Sequence, residues 1–98
     1  AVMKPTAILI NTTRGMIVDE AALYGALKDG VIAGAAVDVF QDEPVKTGNP
    51  LLPLENLVAT PHTGANTRES RDRACQECAQ AVLDCAAGKT PASAVNRI

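Results

Sequence analysis

Arg14, Glu43 and His62 are the residues of this sequence whose types could do chemistry together. An arginine fork holds a carboxylate through two parallel hydrogen bonds. Histidine is the one side chain whose unperturbed pKa, ~6.5, allows proton exchange near neutrality. His62 is the only histidine in the chain. A carboxylate beside an imidazole favours its charged form and fixes which ring nitrogen carries the proton. Glu43 could play that part. Each residue also has a plainer reading: Arg14 as a surface loop residue, His62 as a structural residue after Pro61, Glu43 as a solvated residue before Pro44.

Asp38 is a further polar oddity, because it interrupts the apolar run Gly34 to Phe40. A buried carboxylate needs partners. Two readings stay open for it: a strand-end residue bonding to loop amides, or a ligand contact. Cys75 and Cys78 form a C-x-x-C, with Cys85 beyond. These three and His62 lack the paired spacing of a structural zinc site, so no metal centre is expected. The pair falls inside a helical pattern rather than at a helix start, and we expect the cysteines to be small buried hydrophobes. No G-x-G-x-x-G and no G-x-x-x-x-G-K-[ST] occurs in the chain. The usual phosphate-cradling turn of a dinucleotide site is therefore missing from it.

The elements that must position these residues follow from the apolar pattern. Ala7 to Asn11 is an unbroken apolar run after Pro5, which suits a strand buried on both faces. Asp19 can cap a helix in which Val18, Ala22, Leu23, Ala26 and Leu27 share a face, and Gly30 can end it. Gly34 to Phe40 reads as a second strand. Gln41 to Asn56 is mostly loop, with a possible turn of helix over Pro50 to Leu54, and loops this long are often functional. Leu57 to Thr60 is a third strand. A long helix runs from about Asn66 to Ala87, capped by Asn66 or Thr67 and ended by Gly88. On it Cys75, Cys78, Ala79, Val82, Cys85 and Ala86 share one face. Parallel strands need crossovers of a dozen or more residues, and both connections are long enough. The expected fold is therefore α/β with three parallel strands. Arg14, Glu43 and His62 each follow a strand, so this topology brings all three to one sheet edge, where open α/β sheets bind ligands. An anion-binding Arg beside a His–Glu pair forms a coherent set for chemistry on a 2-oxo or 2-hydroxy acid.

Composition narrows the classes. A chain of 98 residues suffices for one small domain. Its formal net charge of −2 argues against nucleic-acid binding, as does the scarcity of aromatics, which are Tyr24 and Phe40 only. No apolar run reaches the ~18 residues of a membrane span, and no signal-peptide pattern opens the chain. Three cysteines make a poor disulfide framework and suit a reducing cytoplasm.

Three ordered blocks carry a resemblance. Met3 to Gly15 with Val18 to Leu23, then Gly34 to Phe40 with Asp42-Glu43-Pro44, then Pro50-Leu51-Leu52 with Asn56 to His62, resemble the D-isomer-specific 2-hydroxyacid dehydrogenases. The resemblance spans roughly residues 3 to 88. It implies an oxidoreductase that moves hydride between a nicotinamide cofactor, NAD or NADP, and a D-2-hydroxy or 2-oxo acid, as phosphoglycerate dehydrogenase-like and hydroxypyruvate/glyoxylate reductase-like enzymes do. It implies a Rossmann-type cofactor domain, with Arg14 on the substrate carboxylate, His62 as the acid–base group and Glu43 paired to it. Thr12, Thr13, Arg14, Asp38, His62, Thr63, Gly64 and Ala65 would line the nicotinamide side of the cofactor. The formate-oxidising branch has Gln where Glu43 stands, which disfavours that branch. Residues 66 to 87 resemble the helix that crosses back toward a separate substrate domain.

The chain opens at Ala1 without an initiator Met and lacks the glycine-rich turn. We expect the second half of a Rossmann domain from a longer, homodimeric parent, inactive as 98 residues alone. Relatives that act as nucleotide-sensing corepressors supply an alternative, a binding module. A third expectation is an inactive half-domain that self-associates, because a bare apolar strand edge invites pairing.

Overall fold

The computed structural model describes residues 2–96 as two compact units, Ala1–Gly64 and Ala65–Ile98. In the first unit, strand β1 (Ile8–Asn11) leads through a 3-10 turn (Gly15–Ile17) to helix α1 (Glu20–Lys28). Strands β2 (Gly34–Val37) and β3 (Leu57–Ala59) follow. The three strands are parallel in the order β1-β2-β3, as the crossover lengths require. The register sets Leu9 beside Ala35 and Ala35 beside Leu57, and Ile10 beside Ala36 and Ala36 beside Val58.

Helix α1 starts where its cap is. The Asp19 carboxylate accepts the Ala21 and Ala22 amides at 3.0 and 3.1 Å, satisfying orphan donors of the first turn. It ends at Gly30, whose φ of 66° closes the turn at no steric cost. Leu23 and Leu27 of its inner face are buried with Ile32, Ala35, Val37, Phe40 and Leu51. Leu9, Val18 and Leu57 pack against that cluster. Full burial of each large aliphatic contributes roughly 1.5–3 kcal/mol. Pro50 to Leu54, where a turn of helix was expected, instead forms successive tight turns, with Leu52 N–H on the Asn49 carbonyl and Leu54 N–H on that of Leu51.

Two expectations about strands need correction. Strand β1 is not buried on both faces: Ile8 and Ile10 are 65% and 70% exposed. It is an edge strand, and the buried cluster lies on one face of the sheet only, on the side of Leu9 and α1. Strand β2 stops at Val37, short of Phe40. Just beyond it the Asp38 amide still donates to the Asn11 carbonyl at 3.0 Å, while the Asp38 carbonyl accepts the His62 amide at 2.8 Å.

The second unit holds helix α2 (Arg68–Ala86), capped by Thr67, whose hydroxyl accepts the Ser70 amide at 3.1 Å. Gly88, at φ 72°, ends it. Cys75, Cys78 and Cys85 are exposed, contrary to the expected burial, and no residue of α2 is buried. A single helix with no second element in its unit has nothing to bury its own face against. No described helix is long and apolar enough to cross a membrane.

Candidate functional site

The site grows from the segments that follow the three strands. At the end of β1, Asn11 is buried, and its side chain shapes the loop beyond. Its Oδ1 accepts the Thr13 amide and hydroxyl at 3.1 and 2.9 Å, and its Nδ2 donates to the Arg14 carbonyl at 3.0 Å. Thr12, Thr13 and Arg14 are exposed. The Arg14 guanidinium donates to the Thr13 carbonyl at 2.7 Å, and among the described residues it makes no ion pair. The fork is therefore left largely open to an outside anion.

After β2 comes the segment that carries Glu43. Its Oε1 accepts the Phe40 amide at 3.0 Å and its Oε2 lies 2.7 Å from His62 Nδ1. The His62 bond, then the Phe40 amide, hold the Glu43 carboxyl below its ordinary value; the Arg14 charge lowers it further. The Glu43–Pro44 bond is cis. Gly15 brings the first segment against the second: a Cβ there would stand 2.0 Å from the Phe40 carbonyl carbon and oxygen. Only glycine permits that approach.

After β3, His62 sits at φ 56°, in the left-handed region that a non-glycine residue seldom occupies. Asp38 holds it there. The Asp38 carbonyl accepts the His62 amide at 2.8 Å. Its Oδ1 accepts the Thr63 amide and the Thr60 hydroxyl, and its Oδ2 accepts the Gly64 amide at 2.8 Å. Two consecutive amides thus hold the Asp38 carboxylate, and the amide before them holds its backbone carbonyl. The Thr60 hydroxyl, then the two amides, keep the Asp38 carboxyl below its ordinary value. Gly64 is needed for the approach, since a Cβ would lie 2.9 Å from Asp38 Oδ2.

Of the expected residues, Asp38, Glu43 and His62 therefore form one connected group, and Arg14 stands near enough for its charge to act on Glu43. Asp38, Glu43 and His62 line a cavity of about 300 Å³ whose other walls are Phe40, Pro44, Val45 and Pro61. Ala65 opens the second unit, where its carbonyl accepts the Thr67 amide. Asn11, Gly15 and Thr60 escaped the sequence reading. An Asn at a strand end and a Gly beside a candidate Arg were the signals available for two of them. Among the described residues no cluster of His, Cys, Asp and Glu is arranged to hold a metal ion.

The side chains can do the following. Nδ1 of His62 faces an acceptor, which leaves Nε2 free to give or take a proton. His62 and Glu43 side chains are 50% and 37% exposed, so an outside molecule can reach them. The cavity wall is mainly apolar with an imidazole and carboxylates at its rim, which suits a flat ring or a small organic acid.

The chain has recognisable relatives among known proteins. Residues 1–64 match the family model described as D-isomer specific 2-hydroxyacid dehydrogenase, NAD binding domain. The chain is 47% identical over 95 residues to a glyoxylate reductase of Korarchaeum cryptofilum, covering 97% of this chain and 29% of that one. It is 46% identical over 96 residues to a D-3-phosphoglycerate dehydrogenase of Methanocaldococcus jannaschii, covering 98% of this chain and 18% of the other. An acyclic imino acid reductase, solved with NADPH and D-Arg, superposes with a TM-score of 0.87 at 36% identity, over 97% of this chain and 30% of that one. The chain thus spans less than a third of the length of these relatives.

Proposed function

From the membership of this chain in the D-isomer-specific 2-hydroxyacid dehydrogenase family, whose NAD-binding domain it matches, we propose that its protein interconverts 2-oxo and D-2-hydroxy acids. A nicotinamide cofactor, when bound there, would supply or accept the hydride. Arg14 binds the substrate carboxylate through its fork and polarises the 2-oxo group. In reduction, the His62 imidazolium gives its Nε2 proton to the oxygen as that oxygen gains charge. The ring is left neutral, with its remaining proton on Nδ1 held by Glu43. In oxidation the same Nε2 takes the hydroxyl proton. The observation that carries this reading is the 2.7 Å contact between His62 Nδ1 and Glu43, beside an arginine that makes no ion pair among the described residues.

Thr12, Thr13, Arg14, Asp38, His62, Thr63 and Gly64 of the first unit face the nicotinamide side. An ionised carboxylate has about four acceptor positions. Three of those on Asp38 are taken internally, so its contact with the cofactor runs through the one that remains. The resemblance and the missing glycine-rich turn support reading the 98 residues as the second half of a dinucleotide-binding domain, inactive by themselves. Three free, exposed cysteines support a reducing cytoplasm for the parent, which we take to be a homodimer.

The test is turnover by the protein that carries this chain, with NADH or NADPH and a panel of 2-oxo acids including glyoxylate and hydroxypyruvate. We expect reduction, with His62→Ala lowering kcat by about 10²–10⁴-fold. Arg14→Leu is expected to raise KM through the lost carboxylate contact and to lower kcat as well, because the same fork polarises the 2-oxo group. Cofactor binding without turnover of any member would overturn the reading in favour of a nucleotide-sensing binding module.

A further inference from the structure

Glu43 reaches His62 from a segment with no regular structure, residues 41–49. Within it the one ion pair, Asp42 with Lys46 at 3.8 Å, is about four-fifths exposed on both sides and fixes little. Both ends of the segment, however, return to one side chain on another element. Glu20 Oε1 accepts the Gln41 amide at 2.6 Å, and Glu20 Oε2 accepts the Asn49 side-chain amide at 3.0 Å. Both bonds end on a carboxylate and are therefore stronger than neutral ones.

The surroundings leave Glu20 free for this. Helix α1 already has its cap in Asp19, so the Glu20 carboxylate is not spent on the helix. Its place in the first turn suits a negative charge. Each anchor is itself held. Gln41 Nε2 donates to the Val18 carbonyl at 2.9 Å, and Asn49 Oδ1 accepts the amide of Leu51, which is 1% exposed. The residue before Gln41 is Phe40, whose amide orients Glu43 Oε1. A continuous path of contacts thus runs from the start of α1, through Glu20 and the Phe40–Gln41 backbone, to Glu43 and His62.

We propose that Glu20 is a positioning residue for the Glu43–His62 pair, cinching both ends of the 41–49 segment to the start of α1. Its value to catalysis rests on the acid–base reading of that pair. Its effect on the pair does not require turnover to be seen. A neutral imidazole whose Nδ1 faces a carboxylate holds its proton on Nδ1 rather than Nε2, and ¹⁵N spectra report that ratio.

The experiment measures the His62 tautomer ratio in the full chain, under alkaline conditions in which the ¹⁵N spectra themselves show a neutral ring. Glu43→Ala gives the ratio with the partner removed. We expect Glu20→Ala to lower the Nδ1–H to Nε2–H ratio by about tenfold, toward the Glu43→Ala value, since a hydrogen bond to a charged group is at stake. Glu20→Gln, which keeps one acceptor, should fall between. Lys46→Ala, in the same segment, should leave the ratio unchanged. An unaltered ratio in Glu20→Ala, beside a clear response in Glu43→Ala, overturns the proposal. If Glu20→Ala does not fold, a Glu20→Gln ratio equal to that of the parent chain overturns it. A responding ratio in a protein without turnover would sink the dehydrogenase reading alone, and an unresponsive ratio in an active enzyme would sink this one alone.

Discussion

The carbonyl of Asp38 accepts the His62 amide at 2.8 Å, while the Asp38 carboxylate takes the next two amides of the same turn. One residue at the end of β2 therefore holds the left-handed conformation of the only histidine. A non-glycine residue in that region costs of order 1–3 kcal/mol, so the surroundings must impose it.

Removing the carboxylate should therefore act on His62. Asp38→Ala leaves the Thr63 and Gly64 amides to water and frees the turn to relax. Misplacing a reacting group by about 1 Å can cost on the order of 10²-fold in rate. We expect a fall in kcat of that order in the protein that carries this chain, and a smaller fall for Thr60→Val. Thr60→Ser, which keeps the hydroxyl, should restore the parent rate. A Thr60→Val enzyme with parent kcat would show that the hydroxyl plays no part in holding the turn.

The two site carboxylates also make stability depend on pH in a definite direction. Asp38 and Glu43 both titrate below their ordinary values of 3.8 and 4.5, Asp38 chiefly through the Thr60 hydroxyl and Glu43 chiefly through His62. A carboxyl whose folded pKa is depressed stabilises the fold above its unfolded pKa and loses that contribution as pH falls through the folded value. The chain should hold its urea midpoint down to about pH 5 and then lose stability with each further step toward acid. Asp38→Asn and Glu43→Gln should each start lower and fall less steeply over the same range. Parallel curves for parent and variants would contradict the assignment.

Two glycines should respond to alanine in opposite senses. At Gly15 the new methyl would meet the Phe40 backbone at 2.0 Å, and no rotamer relieves a clash with backbone. The segments bearing Arg14 and Glu43 would be forced apart. We expect a loss of about 1–3 kcal/mol in urea unfolding and a marked fall in activity. Gly25 lies inside α1 with nothing within 4 Å of its added carbon. Gly25→Ala should stabilise by about 0.5–1 kcal/mol. A stable, fully active Gly15→Ala variant would remove the close approach as a reason for glycine there.

Local signals account for what was legible in the sequence. Asp19 and Thr67 cap the helices, and Gly30 and Gly88 end them, because caps and left-handed turns depend on residues within one helical turn. The parallel order followed from connection lengths, and with it the meeting of Glu43 with His62. What stayed hidden depends on partners far along the chain. Glu20 is 29 residues from Asn49, and Gly15 touches Phe40. No spacing rule announces either contact. The apolar runs also misled in one respect. A run such as Ala-Ile-Leu-Ile says that a strand suits burial, not that the same chain supplies a cover for each face, and Ile8 and Ile10 are exposed.

That exposure leads to a prediction about the chain itself. Ile10, Ala36 and Val58 lie in one row across the sheet, and Ile10 and Val58 are 70% and 65% exposed. Strand β1 pairs on one side only, with β2, so its other edge offers unpaired backbone groups. An apolar edge strand of this kind is a template for pairing with another chain. We expect the 98-residue chain to self-associate, with sedimentation giving masses above 10.2 kDa that rise with concentration. Ile8→Lys combined with Ile10→Lys places two charges on the edge strand and should return the chain toward the monomer, because neither side chain belongs to the buried core. A parent chain that sediments as a monodisperse 10.2 kDa species would mean that the exposed row and the free edge are insufficient to bring two copies together.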